Sequence, residues 1–436
     1  MDNSMATAAS STLHSPRAFS ALGLRGYRAY IVTFMLTMMA DNIEHVVSYW
    51  VMFQKFHSPA LGGFAVVSHW LPFLAFSVAV GALNDRFDSR RIIQLGALLF
   101  ILASAGWGYF FVTGTLHMWQ AMLLLVLHGC AGVLWTTSSQ MLLYDIVGPG
   151  ALPSAVRLAA TARYLGTLVG PGVGSMVMLT LGPTRGILLN TVFYLPLFCW
   201  LIRAPYGRHY REDCPPPKRA VRGFADIVQT LRDVRTMPIL TSMMALAGAA
   251  SFFIGNSYQA QMPGFAHDLG HGDPGVAYAV LLAADATGAL IAGIVLESRG
   301  GIFKIRPASA TLLAMAWALA LFGFAWMRSY PFAIAFLFLA GFFELSFSSI
   351  AQTLVQMNAP DAMRGRVLGL YNMAAAGLRT FSGVTVGLMG SVATVHTSLA
   401  IATASFAYVA CFLWIDSLRA STFARSTRDR DPTRTP

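Results

Sequence analysis

Charge is what this sequence has least of. Asp, Glu, Lys and Arg make up 11% of its 436 residues, against 56% hydrophobic side chains, and so few polar groups cannot cover a water-soluble surface. Cysteine is scarce too. Cys130, Cys199, Cys214 and Cys411 show neither disulfide nor metal-ligand spacing, which leaves the redox compartment open and predicts no metal. No nucleophile–base pair stands out, so the reading includes neither an enzyme nor a cofactor. A cleavable leader is not expected either: the first apolar run starts near Tyr30 and passes Asp41 and Glu44, unlike the short, clean core of a signal peptide.

What the sequence does have is length of apolar run. Twelve stretches, at 30–52, 63–84, 92–113, 117–145, 154–181, 185–203, 237–262, 276–296, 307–328, 331–357, 367–395 and 397–416, each approach or exceed the ~20 residues a membrane-crossing helix needs. Only helix satisfies the backbone at that length, so an all-α membrane protein of twelve spans is predicted. The net charge of +11 is a topology signal and does not indicate nucleic acid. Of 30 Lys and Arg, 24 fall in the head, the even-numbered connections and the tail, and only Lys55, Arg185 and Arg328 in the odd-numbered ones. Both termini are therefore expected in the cytoplasm. The expected divisions are a head (1–29), a six-helix bundle (30–203), a cytoplasmic linker (204–236), a second six-helix bundle (237–416) and a disordered tail (417–436). Within the linker, the apolar positions 224, 227, 228 and 231 share one helical face, as in a helix lying on the inner leaflet.

The two bundles echo one another. Gly81, Asp85 and Arg86 after the second span match Gly293, Glu297 and Arg299 after the eighth, with an offset of 212 between the glycines and between the carboxylates. Pro149 with Pro360 and Val156 with Val367 repeat at 211, as do Gly166 with Gly377 and Gly172 with Gly383. A period near half the chain reads as a duplication, which in an apolar chain is characteristic of secondary transporters.

Twelve spans as two six-helix pseudo-repeats, a basic central loop and a Gly-x-x-x-Asp-Arg loop after the second span together resemble the major facilitator superfamily. The likeness covers roughly residues 30–416. In the family loop a glycine precedes two basic residues; here Asp88 takes its place and Arg90 and Arg91 follow one residue late. Gly166, Gly170, Pro171, Gly172 and Gly174 in the fifth span are similar to the Gly-Pro signature of the family's exporters. The Arg364-Gly365-Arg366-Val367 loop resembles that of the branch containing enterobactin exporters and macrolide efflux proteins. That resemblance implies export of a siderophore or drug, generally on the proton gradient. Leu125, four residues before Gly129, stands where drug/proton antiporters often carry an arginine.

The residues themselves suggest where the work is done. Asp41, Glu44 and His45, at i, i+3 and i+4, share a face of the first span, and such groups inside a membrane are costly unless they line water or pair. Neighbouring buried carboxylates suit proton uptake; the plainer alternative is an ion pair with Arg163 that fixes packing. Gly81, Asp85, Arg86, Arg90, Arg91, Gly293, Glu297 and Arg299 form a candidate conformational latch, with Asp85 at a helix N-terminus or paired with Arg86 and Arg90 and Arg91 facing the anionic leaflet; simple positive-inside anchoring explains the arginines alone. Gly166, Gly170, Pro171 and Gly174 would let a neighbouring helix approach closely and gate leakage. His128, Asn256, Gln259, Glu344 and Arg379 are candidates for the substrate cavity, although Glu344 and Arg379 could simply pair with each other, and His69 and His128 could be satisfied core histidines. Trp50, Trp70, Trp119 and Trp326 read as interfacial anchors. The third, sixth, ninth and twelfth spans have no mid-span charge, as lipid-facing helices should.

The sequence thus predicts a monomeric, multi-pass protein of a bacterial inner membrane, whose partners are a small molecule, protons and the bilayer and do not include nucleic acid. Its expected function is proton-coupled export of a siderophore or amphipathic metabolite or drug by alternating access. The alternatives are an importer of the same fold and, from another class, a non-transporting sensor or scaffold.

Overall fold

The computed structural model describes residues 18–56, 59–207, 224–255, 257–260, 262–269, 274–298, 302–382 and 394–429. The N-terminal bundle is α1 (Arg25–Phe56), α2 (Pro59–Arg86), α3 (Ser89–Thr113) and a helical stretch, Met118–Arg203, that turns back twice. Both reversals occur at a glycine followed by a proline: Gly148 (φ 66°) and Gly182 (φ 79°) take a left-handed backbone that side chains disfavour, and Pro149 and Pro183 start the next helix where no N–H is needed. These turns separate α4 (118–147), α5 (149–181) and α6 (183–203).

The C-terminal bundle begins with an interrupted α7 (238–268), made of Pro238–Phe253, Ser257–Ala260 and Met262–Asp268. It continues with α8 (Pro274–Ser298), α9 (Pro307–Trp326), α10 (Tyr330–Asn358), α11 (364–382, with a wide turn at Met373–Gly377) and α12 (Val395–Asp429). α12 runs past the expected end of the span at 416, as far as Asp429.

Eight helices among the described residues are long and apolar enough to cross a membrane. The predicted outer helices carry part of the exposed apolar surface: Leu98 and Val112 on α3, Val192 and Ile202 on α6, Leu319 and Trp326 on α9, Tyr408 and Phe412 on α12. Bands of this size have no place in water and fit a lipid surround. Each bundle has its own core, and a smaller cluster of Ala160 on α5, Ala289, Ala292 and Leu296 on α8 and Leu345 on α10 joins the two.

The linker helix, Phe224–Val234, packs on α2 and α11. Asp226, Thr230 and Val234 are buried against the bundles, while Val228 and Leu231 are exposed. Of the apolar face predicted from the sequence, Val228 and Leu231 thus point away from the protein while Ile227 packs against the C-terminal core.

Candidate functional site

The two bundles meet at the end that carries the linker helix, and the sequence echo accounts for how. Asp85, at the end of α2, lies on the N-terminus of α11. Its carboxylate accepts from the Gly365 N–H at 2.6 Å, the Arg366 N–H at 3.1 Å and Arg366 Nε at 3.1 Å. The unsatisfied N–H groups and partial positive charge of a helix start favour a carboxylate there. Glu297, at the end of α8, makes the corresponding contact with side chains of α5. It accepts from Arg157 Nε at 2.8 Å, from Ser154 Oγ, and from the Phe19 N–H at 2.8 Å. Each bundle therefore holds the fifth helix of the other, Asp85 through the backbone of α11 and Glu297 through side chains of α5.

The latch glycines permit this approach. A Cβ on Gly81 would meet the Gly365 carbonyl, and a Cβ on Gly293 would meet the Thr161 side chain. Gln140 on α4 and Asn372 on α11 add a hydrogen bond between the bundles at 2.9 Å, and Asn372 also donates to Thr137 at 3.2 Å.

Three details of the predicted latch change. Asp85 pairs with Arg366 rather than Arg86, whose guanidinium lies 5.3 Å from the Phe87 ring. Arg90 does not face a leaflet: it is buried, holds Asp88 through Nε and Nη2 at 2.9 and 2.5 Å, and donates to the Ala204 carbonyl. Asp88, in the place of the loop glycine, is the N-cap of α3 and accepts from the Arg90 N–H at 3.0 Å. Arg91 is exposed and donates to Gln94 at 2.9 Å. Arg299 lies outside the described residues.

Deeper in the N-terminal bundle, Asp41, Glu44 and His45 of α1 do share a face, and their partner is His128 of α4. Its Nδ1 lies 2.8 Å from Glu44 and its Nε2 2.8 Å from Asp41, so one imidazole bridges two carboxylates. Glu44 is held further by Ser104 of α3 at 2.6 Å and Tyr194 of α6 at 3.5 Å. Asn190 of α6 ties Ser104 (3.2 Å) to the Ala40 carbonyl (2.9 Å). Glu44 is closed in at 2% exposure, whereas Asp41 and His45 keep 16% and 22%. The network therefore runs from a buried carboxylate to a solvent-touched one. His45, His69 and His128 bring one ligand-type atom each within 4.8 Å of one another.

The ion pair of Asp41 or Glu44 with Arg163 is not formed. Arg163 is exposed although it sits mid-way along α5, and its electrostatic neighbours are Tyr164, Arg379, Tyr371 and Glu344. Arg163 of the N-terminal bundle thus lies among Glu344, Tyr371 and Arg379 of the C-terminal one. Glu344 has Arg379, Arg163 and Tyr164 around it. Arg379 also lies 5.0 Å from the ring of Trp70, across the bundle boundary. Trp70 thus faces the interior; Trp50, Trp119 and Trp326, exposed at 48%, 64% and 66%, suit the anchoring role. Gln259 and Tyr258 both donate to Asp285, at 3.1 and 3.0 Å. Asn256 lies outside the described residues.

The glycines of α5 pack against α1. Beta-carbons on Gly166, Gly170 and Gly174 would press on Met38, Asn42 and Ile43 respectively. The close neighbour expected for the fifth helix is therefore the helix that carries the carboxylates. Ser104, Asn190 and Tyr194 were not singled out in the sequence, where isolated Ser, Asn and Tyr carry little signal.

The profile of the Major Facilitator Superfamily matches residues 29–383. The multidrug efflux pump Tap of Mycolicibacterium fortuitum is 24% identical over 86% of this chain and 91% of its own length. The enterobactin exporter EntS of Shigella flexneri is 23% identical over 74% of each. Among solved structures, the E. coli fucose:proton symporter FucP superposes with a TM-score of 0.70 at 12% identity, covering 91% of this chain and 99% of that one.

Proposed function

Because the chain belongs to the Major Facilitator Superfamily, a family of transmembrane transporters and not of enzymes, we propose that it is a proton-coupled exporter of an amphipathic small molecule, a siderophore or drug, in a bacterial inner membrane. Both termini and the linker helix are cytoplasmic in this reading. The crossed latches then close the cytoplasmic end, and the central groups are reached from outside. Names of two relatives, an efflux pump and an exporter, support the outward direction.

One observation carries the coupling: His128 hydrogen-bonded to both Asp41 and Glu44. A proton entering from outside meets the partly exposed Asp41 first. Protonated Asp41 no longer holds His128 as a charged pair, and the imidazole is free to turn. Since Gly166 and Gly170 of α5 rest on α1, a shift of α1 reaches α5, whose Ser154 and Arg157 are held by Glu297. Cargo binds between the bundles, where Arg163, Glu344 and Arg379 meet, as repeat-built transporters bind theirs near the midplane. Release of the proton to the cytoplasm resets the cycle.

The test is uptake of a siderophore and a small drug panel into inverted vesicles with an acidic interior. Gradient-driven accumulation is expected, and Asp41→Asn or Glu44→Gln should abolish it. Accumulation that survives both substitutions and collapse of the gradient would overturn the coupling, and entry only with the opposite gradient would overturn the direction.

A further inference from the structure

We propose that His45, His69 and His128, with Asp41 as fourth ligand, form a binding site for one divalent transition-metal ion of the zinc, cobalt or nickel type. The inference concerns binding to the resting protein and stands apart from the direction and coupling of transport.

The chain has ten histidines, and three of them, from three different helices, converge inside the N-terminal bundle. The rings of His45 and His69 are 5.0 Å apart, those of His45 and His128 4.8 Å, and those of His69 and His128 5.9 Å. His69 and His128 each lie ten residues into their helices, about 15 Å along the axis at the α-helical rise. This depth is far from the chain ends and loops where imidazoles gather by chance.

Packing alone leaves this arrangement unexplained. A core histidine normally has both ring nitrogens satisfied or one facing water. His69 Nδ1 is buried and has no hydrogen-bond partner. The rings around His69 are Trp70 at 4.6 Å, Phe73 at 6.4 Å and the other two histidines, and none of these gives Nδ1 a hydrogen bond. An unpartnered imidazole nitrogen is costly in an apolar interior, whereas a lone pair there is what a metal ion uses.

The other members are arranged as ligands and supports. Glu44 holds His128 Nδ1 and is held in turn by Ser104 and Tyr194. That is the carboxylate–histidine arrangement that fixes a metal-binding ring through its far nitrogen and raises its basicity. His128 Nε2 is left to face Asp41 at 2.8 Å, and the second oxygen of Asp41 lies 3.8 Å from His45 Nδ1. An ion replacing the hydrogen bond between Nε2 and Asp41 would find three nitrogens and one carboxylate oxygen. Ligand atoms within 4.8 Å need modest side-chain rotation to reach the about 3.4 Å spacing of a tetrahedral site with bonds of ~2.0–2.1 Å. Three imidazoles and one carboxylate select zinc, cobalt or nickel over magnesium or calcium, which take oxygen ligands. The remaining exposure of His45 and Asp41, 22% and 16%, gives the ion a way in.

The experiment is Co2+ titration of the full-length, tag-free protein in detergent, followed by the visible absorption of cobalt and by metal content after gel filtration. One equivalent with the intense bands of a tetrahedral site, displaced by Zn2+, is expected. His45→Ala and His69→Ala should each weaken binding at least tenfold, and Glu44→Gln by ~10–100-fold, as loss of a supporting carboxylate does. His267→Ala, which removes an imidazole exposed at 72%, should change nothing. His69→Gln keeps the bulk of the ring and serves where the alanine variant elutes as aggregate. Failure of the wild type to bind stoichiometrically, or wild-type affinity in folded His69→Ala or His69→Gln, would overturn the proposal, because the metal would then sit elsewhere.

Discussion

Replacing Asp85 with asparagine tests the latch most directly. The carboxylate accepts three hydrogen bonds from the first turn of α11, at 2.6, 3.1 and 3.1 Å, one of them from the Arg366 guanidinium. A hydrogen bond to a charged group contributes about 1.5–3 kcal/mol net, and a charge at a helix start about 0.3–1 kcal/mol. Asparagine keeps one acceptor oxygen and nearly the same shape, so one backbone bond survives while the bond to Arg366 and the charge are lost. The expected loss is about 2–3 kcal/mol, which moves the ratio of closed to open linker ends by about 30- to 150-fold. Fluorescent or spin labels at Phe87 and Asp361, exposed on either side of the contact, would read it as a shift towards longer distances. The native cysteines would be replaced first. A monodisperse Asp85→Asn protein whose distance distribution matches the wild type within a factor of two would refute the latch. The contact would then be only a packing detail of this conformation.

Glu297→Gln should release the N-terminal turn as well as α5, because Glu297 accepts from Phe19; faster amide exchange over residues 19–24 checks this, and unchanged exchange would sink it. Gly365→Ala puts a methyl against the Gly81 carbonyl and the Asp85 carboxylate, so it should open the linker end as Asp85→Asn does, and the same labels measure it. His128→Ala removes the group between the buried Glu44 and the partly exposed Asp41 and should cost about 3–5 kcal/mol, as breaking a buried pair does; His128→Gln should recover part of it, and thermal unfolding in detergent ranks the two. Val228→Asp with Leu231→Asp on the exposed face of the linker helix should leave the bundles folded and reduce protection of that helix in vesicles, as seen by hydrogen exchange with and without lipid.

Much of this could be read before the structure, and the reasons differ by element. The spans were legible because a bilayer-crossing helix is a long apolar run, and the latch carboxylates because duplication wrote Asp85 and Glu297 twice. Their partners were not. Gly365 and Arg366 lie 280 and 281 residues from Asp85, and no periodicity links residues across two bundles. The helical spacing of Asp41, Glu44 and His45 gave one face of the inner network. His128, 84 and 87 residues away, was legible only as a substrate-cavity candidate or a core histidine, not as the partner of these carboxylates, since that role depends on how α4 meets α1. Arg90 went the other way: charge and position suggested a lipid contact, but Asp88 beside it and the Ala204 carbonyl drew it inward.

The crossed latches repeat one pairing with the bundles exchanged, the carboxylate of α2 on the first turn of α11 and that of α8 on Ser154 and Arg157 of α5, much as two identical subunits meet about a two-fold axis. Each six-helix half already holds both parts, a carboxylate ending its second helix and hydrogen-bond donors on its fifth. A pair of separate halves would therefore lack nothing at this contact that the single chain possesses. On this logic the covalent connection through the linker sets local concentration rather than geometry, and two halves made as separate polypeptides should recognise one another in the membrane.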